Sequence, residues 1–185
     1  MPNEILIKTG TAIILADVTD HSPSANNNLG SRTVQIDLTG LASGAARQSA
    51  KFDFGAVRAD LWYAYACLEF LAAEVPAAGE SLPFYIAPSP ALGAAVANPG
   101  GVTGSDSAYT GTAGSTLAES LLQLDHLGTF KVLDDVGVQI SPIGVYSPLM
   151  RYGSLIVFNN TANGDLDSDA VQMSVLLSPT PLEVQ

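Results

Sequence analysis

Clusters of glycine, proline, asparagine and aspartate interrupt this chain so often that few segments between them can hold a long helix. Glycine and proline alone supply 17 and 11 of the 185 residues. Such punctuation marks turns, and short apolar runs between turns read as strands. TAIILAD, from Thr11 to Asp17, is β-branched and apolar. In RTVQIDL, from Arg32 to Leu38, Val34, Ile36 and Leu38 fall on one face and Thr33, Gln35 and Asp37 on the other. QSAKFDFG sets Ala50, Phe52 and Phe54 against Lys51 and Asp53. A period of two places alternate side chains on opposite sheet faces.

ADLWYAYACLEFLAAE permits a helix through its alanines and leucines, but Trp62, Tyr63, Tyr65 and Phe70 favour a strand. Ala64 and Ala66 alternate with Tyr63 and Tyr65, as in an interior strand between two packed layers, and burial would account for the aromatics. SLPFYIA reads as the next strand. In STLAESLLQLDHLG, Thr116 and Glu119 form a possible capping box for one or two helical turns. Its second half can equally extend, with Leu122 and Leu124 on one face. GTFKVL, VGVQISP, YGSLIVFNN and AVQMSVLLSP follow as strands. About nine or ten strands with almost no helix imply antiparallel pairing in two packed sheets. The expected fold is all-β: an antiparallel, jelly-roll-like β-sandwich with a long Gly/Ala/Pro-rich loop. Residues 1–185 read as one domain, with residues 1–30 as a peripheral segment and 87–114 as an extended loop or arm.

Charged residues make up 14% of the chain, against about 25% in an ordinary soluble domain. Much of the surface is then neutral, which suits cover by a partner or a coat of serine, threonine, asparagine and glycine. The formal net charge is −11, and the 7 basic residues are scattered, with none between Arg58 and Lys131. No basic cluster can neutralise a run of phosphates, so nucleic acid is not an expected partner. Cys67 lies among aromatic and aliphatic residues and reads as a buried thiol. MPNEILIKTG lacks the pattern of a signal peptide, and no apolar window reaches membrane-spanning length. Cytoplasmic synthesis and no membrane partner are therefore expected.

The chemistry of catalysis is sparse. His21 lies in a polar turn and His126 follows Asp125. No G-x-S-x-G elbow presents a serine, no close set of ligands suggests zinc, and NPGGVTG lacks the lysine of a phosphate-cradling loop. Asp134 and Asp135 could serve a glycosidase only by converging with a cleft. NGDLDSDA spaces Asp165, Asp167 and Asp169 two apart, an acidic hairpin turn or a weak cation site, although the EF-hand pattern fails at Ala170 and Leu176. Asn159 heads an NNT acceptor-like tripeptide that reads as a turn. Neither an enzyme nor a cofactor is expected.

RQSAKFDFG leads into the aromatic-rich strand. FYIAPSP, NPGGVTGSDSAYTG, LLQLDHLGTFKV, SPLMRYGSLIVFNNT and MSVLLSP follow in order. This succession, from Arg47 to Pro179, resembles small virion proteins of tailed bacteriophages, in particular capsid decoration or cement proteins. The resemblance implies a sandwich that forms homotrimers on the capsid surface. It also implies bridging of major capsid protein subunits after assembly in the host cytoplasm. Other virion parts (tail, fibre or head vertex) and a carbohydrate-binding module are the alternatives.

Under the leading reading the stretch from Ala87 to Gly114, with 3 prolines, 6 glycines and Asp106 as its sole acid, could be an inter-subunit arm. Leu92, Val96, Val102 and Tyr109 would be its anchors. The alternative is an Ω-like loop packed on its own domain. In SPLMRYGS, Pro148 rigidifies a turn before an edge-like strand. Arg151 and Tyr152 are types favoured at interface centres. Arg151 could pair with a neighbour's carboxylate or within its own fold.

Overall fold

The computed structural model describes residues 10–22, 29–56 and 59–180. Its strands are β1 (Ile13–Ala16), β2 (Val34–Gln35), β3 (Ala46–Gln48), β4 (Phe52–Asp53), β5 (Leu61–Leu68) and β6 (Ser81–Ser89). β7 (Ser107–Ala108), helix α1 (Leu117–Leu121), β8 (Asp125–Lys131), β9 (Gln139–Tyr146), β10 (Tyr152–Phe158) and β11 (Ser174–Thr180) complete the order. One sheet runs β2-β1-β11-β5-β9 and the other β7-β3-β10-β6-β8, with β4 also on β10. The chain is an all-β sandwich. It changes sheet at most connections, which interlocks the two layers.

The alternating patterns end where expected. Ile36 and Leu38 are buried, as are Phe52 and Phe54. Yet only Val34 and Gln35 of the first pattern join a ladder, and they pair with β1 in parallel, an exception to the antiparallel rule. β1 lies inside its sheet, between β2 and β11, with Leu15 fully buried. The described part of residues 1–30 is therefore integral rather than peripheral. Residues 23–28 of the polar turn after His21 lie outside the described residues. β10 runs between β3 and β6, so the strand after Pro148 is central and not an edge.

β5 is a strand, but its faces differ from expectation. Val175 of β11 pairs with Ala66, and Leu177 with Ala64, so this register turns the alanines, Trp62 and Leu68 inward. Tyr63 and Tyr65 point out and are 45% and 37% exposed. Small inward residues leave core volume to larger ones such as Phe84 and Phe130. Cys67 is buried, and burial, with Glu69 adding repulsion, pushes its thiol up to about 11. At one end of the sandwich Phe54 ties the layers together. Its ring meets Trp62 edge-on at 5.0 Å and Tyr146 at 5.8 Å. Trp62 Nε1 donates to the Ala59 carbonyl at 3.2 Å.

The helix forms as the sequence predicts. Thr116 caps α1 and accepts from the Glu119 backbone N–H, while the Glu119 carboxylate accepts from Thr116. Leu122 and Leu124 do not share a face, since Leu122 is 85% exposed and Leu124 is buried.

The Gly/Ala/Pro-rich stretch packs on its own domain. Ala46, Ala87 and Ile156 face outward from the second sheet and form a second core with Val102, Tyr109, Leu121 and Leu124. Tyr109 Oη donates to the Gly100 carbonyl at 2.5 Å, and the Tyr109 N–H to the Ala46 carbonyl. Glycine lets backbone lie against backbone here. Gly104 has φ +71, and a Cβ there would sit 2.2 Å from the Ala94 carbonyl oxygen. Gly104→Ala is expected to cost about 3 kcal/mol or more, because a positive φ and a backbone clash combine. Gly114→Ala, at φ +88 with open space around it, should cost only about 1 kcal/mol. Urea denaturation of both variants checks this, and equal losses would reject the close-approach account.

Candidate interaction site

The residues singled out for contact divide into two groups. Val102 and Tyr109 are spent on the chain's own second core, so they are not available as inter-subunit anchors. Leu92 and Val96 remain exposed, at 70% and 54%. Strand pairing sets Tyr152 between Ser89 and Asp53, which brings the 89–96 loop and the start of β10 to one end of the second sheet. Leu149 and Met150, not singled out from the sequence, are exposed just before Arg151. Their signal was present as two apolar residues next to a rare cation.

A partly buried cation organises this end. Lys51 Nζ donates to Ser89 Oγ at 3.0 Å and to the carbonyls of Ala91, Gly93 and Val96 at 3.1, 2.8 and 2.9 Å. The loop thus wraps an ammonium as it would wrap a bound ion. Burial pulls the Lys51 ammonium below its ordinary range. The four oxygens oppose that pull, because each favours the charged form. Loop carbonyls that would otherwise converge unpaired are satisfied, and Leu92 and Val96 stand on fixed backbone.

Arg151 pairs within its own fold. Its Nε and Nη2 donate to Asp53 at 3.0 and 2.8 Å, and the guanidinium lies 5.1 Å from the Tyr152 ring centre. The Arg151 hydrogen bonds hold the Asp53 carboxyl below the usual carboxylate range, helped by the Gly55 N–H against an opposing effect of burial. The pair is half exposed, so its weight in stability is small.

The rest of the 87–114 segment is tethered by polar groups. Asp106, its sole acid, accepts from Arg47 Nε at 2.7 Å, from Gln35 Nε2 and from the Asp37 N–H. Gln48 accepts from the Thr103 N–H and donates to Ser107 Oγ. Beside this cover, Tyr85, Phe158, Leu117, Leu121 and Leu122 line an open apolar cleft of about 410 Å³.

The aspartate series does not converge. Asp165 Oδ1 accepts from the Ser43 N–H, Asp167 from Asp169, and Asp169 from Val171, each closing a local turn or loop contact. Among the described residues no group of three or more His, Cys, Asp or Glu is placed to hold a metal ion. Burial, with Asp167 and Asp169 adding repulsion, raises the nearby Glu69 carboxyl. The histidines have separate local partners: His21 Nε2 lies 2.9 Å from the Gly30 carbonyl, and His126 Nε2 3.2 Å from Thr129 Oγ1. Asn159 is fully buried and donates to the Leu41 and Gly164 carbonyls, a structural bracket. Among the described residues no helix is long and apolar enough to cross a membrane.

Lys51→Met should lower stability by about 1–3 kcal/mol, since it removes charge-assisted hydrogen bonds and strands carbonyls. Hydrogen exchange should accelerate at residues 91–96 while β5 and β11 keep their protection. Unchanged exchange in the loop would reject the clamp. Arg151→Gln should lower the melting temperature slightly at neutral pH. Because the folded carboxyl of Asp53 is depressed, the pair's contribution is present above the ordinary carboxylate range and lost as pH falls through the lowered value. Thermal scans of both proteins should therefore converge in acid, and a constant gap would show that Arg151 acts through packing.

No protein-family model matches the chain, and no curated protein matches it, so the geometry itself carries the functional reading.

Proposed function

We propose that the protein is a structural virion protein that decorates a tailed-phage capsid and bridges major capsid protein subunits. The observation that carries this reading is the end of the second sheet. There Leu92 and Val96 stand exposed on backbone pinned by Lys51, with exposed Leu149 and Met150 next to the Arg151–Asp53 pair. Apolar side chains on a rigid support lose little entropy on docking, which favours a lasting contact over a transient one. The finer description of the sandwich as a jelly roll belongs to this reading. Setting aside the short β2, β4 and β7, the orders β1-β11-β5-β9 and β3-β10-β6-β8 are those of two nested Greek keys, which supports it.

Exposed Tyr63 and Tyr65, two apart on one sheet face, favour a second reading as a sugar-binding module. Against it, most of the neighbouring outward side chains (Ile140, Val145 and Leu176) are hydrocarbon, and the Ser178 hydroxyl beside Tyr63 leaves sugar hydroxyls few partners.

The test is copy number in the purified particle encoded with this chain, by quantitative mass spectrometry against the major shell protein. Equal abundance is the expected result. A small fraction of the shell protein's abundance would move the chain to a tail or vertex. Complete absence, with binding on a glycan array, would favour the second reading.

A further inference from the structure

The two outer faces of the sandwich are treated differently by the fold. The second sheet's outer face is largely covered by Val102, Tyr109, Leu121 and Leu124, with the cleft at Tyr85 and Phe158 left open. The first sheet's is open over β11, β5 and β9. Register places Leu176 and Ser178, Tyr63 and Tyr65, and Ile140, Pro142 and Val145 outward there. Tyr63, Tyr65, Ile140 and Val145 are all more than a third exposed. None of these positions is charged, in a chain of net charge −11. We infer that this face binds the same face of a second copy, as a two-fold pair.

Three observations select that occupant. The first is area. β5 has 8 residues, about 27 Å of strand, and three strands span about 15 Å, so two such faces bury on the order of 1,000 Å² once their relief is counted. That lies near the lower limit of a specific interface, the size class of weak, reversible pairs. The second is charge placement. Glu69, with Asp167 and Asp169 nearby, and Asp135 lie at the end of the face where β5 finishes and β9 begins, with Lys131 close to Ile140. At the opposite end Leu61, Ser178 and Thr180 are uncharged, and exposed Asp60 stands just before Leu61. A two-fold axis in the plane of the face and across the strands keeps the two acidic clusters at opposite extremities, each against the partner's end that carries Asp60 and the Arg151–Asp53 pair. The third is symmetry. Tyr65 sits mid-face on the central strand of the three, so it falls near the axis and meets its own counterpart.

The pair goes beyond the capsid reading and does not depend on it. It also differs from the trimer that the resemblance implies, so mass separates the two. Since each copy is acidic, salt that screens the mutual repulsion should tighten the pair. A docking partner with a basic rim would instead be released by salt.

The experiment is sedimentation equilibrium of the full chain from about 1 to 300 micromolar, in low and high salt, with circular dichroism as a fold control. The expected result is a mass rising from one chain to two, at lower concentration in high salt. Tyr65→Glu and Tyr65→Lys should each weaken pairing at least tenfold, and an equimolar mixture should restore it, because opposite charges then meet across the axis. Circular dichroism unchanged in both variants keeps the test independent of folding. A single-chain mass throughout, a three-chain mass, pairing indifferent to both substitutions, or a mixture that fails to recover would each overturn the inference.

Discussion

A sandwich of two sheets has four faces, and hydrophobic burial of the inner two leaves the outer two to be settled. That constraint organises this chain. The outer face of the second sheet carries Ala87, Ile156, Tyr85 and Phe158, too apolar to be left bare without consequence. The chain covers it with the segment that follows β6. The first sheet's outer face is uncovered, with tyrosine, isoleucine, proline and valine where charged residues would ordinarily stand.

The cover has an unusual composition for a physical reason. It must lie close to a sheet and to itself, which asks for glycine, and glycine supplies no side chains to bury. Ordering each residue costs about 1–2 kcal/mol of backbone entropy. Val102 and Tyr109 supply the apolar part of what offsets it, and polar tethers supply the rest. The scarce cations are placed accordingly. Lys51 holds the loop carbonyls, Arg47 holds Asp106, and Arg151 holds Asp53. With 18 acids against 7 bases, most of the acidic residues have no basic counterpart in the chain. Charge keeps copies apart except where a face carries none.

Much of this fold was legible in the sequence, because period-two alternation states which residues share a face without reference to anything distant. β1, β5, β6 and β8 to β11 are the apolar runs between turn residues, alternation marks the buried sets around Ile36 and Phe52, and the Thr116–Glu119 box is a local signal for a local element. What was not legible depends on partners far along the chain. Alternation in β5 separates Tyr63 and Tyr65 from Ala64 and Ala66, but only the ladders to β9 and β11 say which set faces in. The two-residue strands exist because a neighbour offers a ladder: β7 is paired by Arg47 and Gln48 of β3. Of the contact residues, Leu92 and Val96 stand on the surface, while Val102 and Tyr109, equally apolar in sequence, are buried and could not be distinguished from them. Arg151 could be read as a rare cation, but its carboxylate lies 98 residues away at Asp53.

The two surfaces left open point in different directions, and this bears on how they work together. The Leu92–Arg151 end lies where β6 finishes and β10 begins, at the end of the sandwich where Phe54 meets Trp62 at the start of β5. The uncharged face lies along the length of β5. A pair formed through the faces with strands antiparallel carries one apolar end at each extremity, facing away from each other. Such a pair presents two identical contacts separated by the length of the assembly, which lets it join two sites that a single copy could not reach. Occupying one site then raises the effective concentration of the second end at its neighbour, so weak single contacts sum to a durable bridge. Rigidity is what makes that sum available, because a loop free to collapse would lose the span. Under the proposed bridging role, the Lys51 clamp and the Gly104–Ala94 close approach, which look like details of loop packing, are the features that would hold the span.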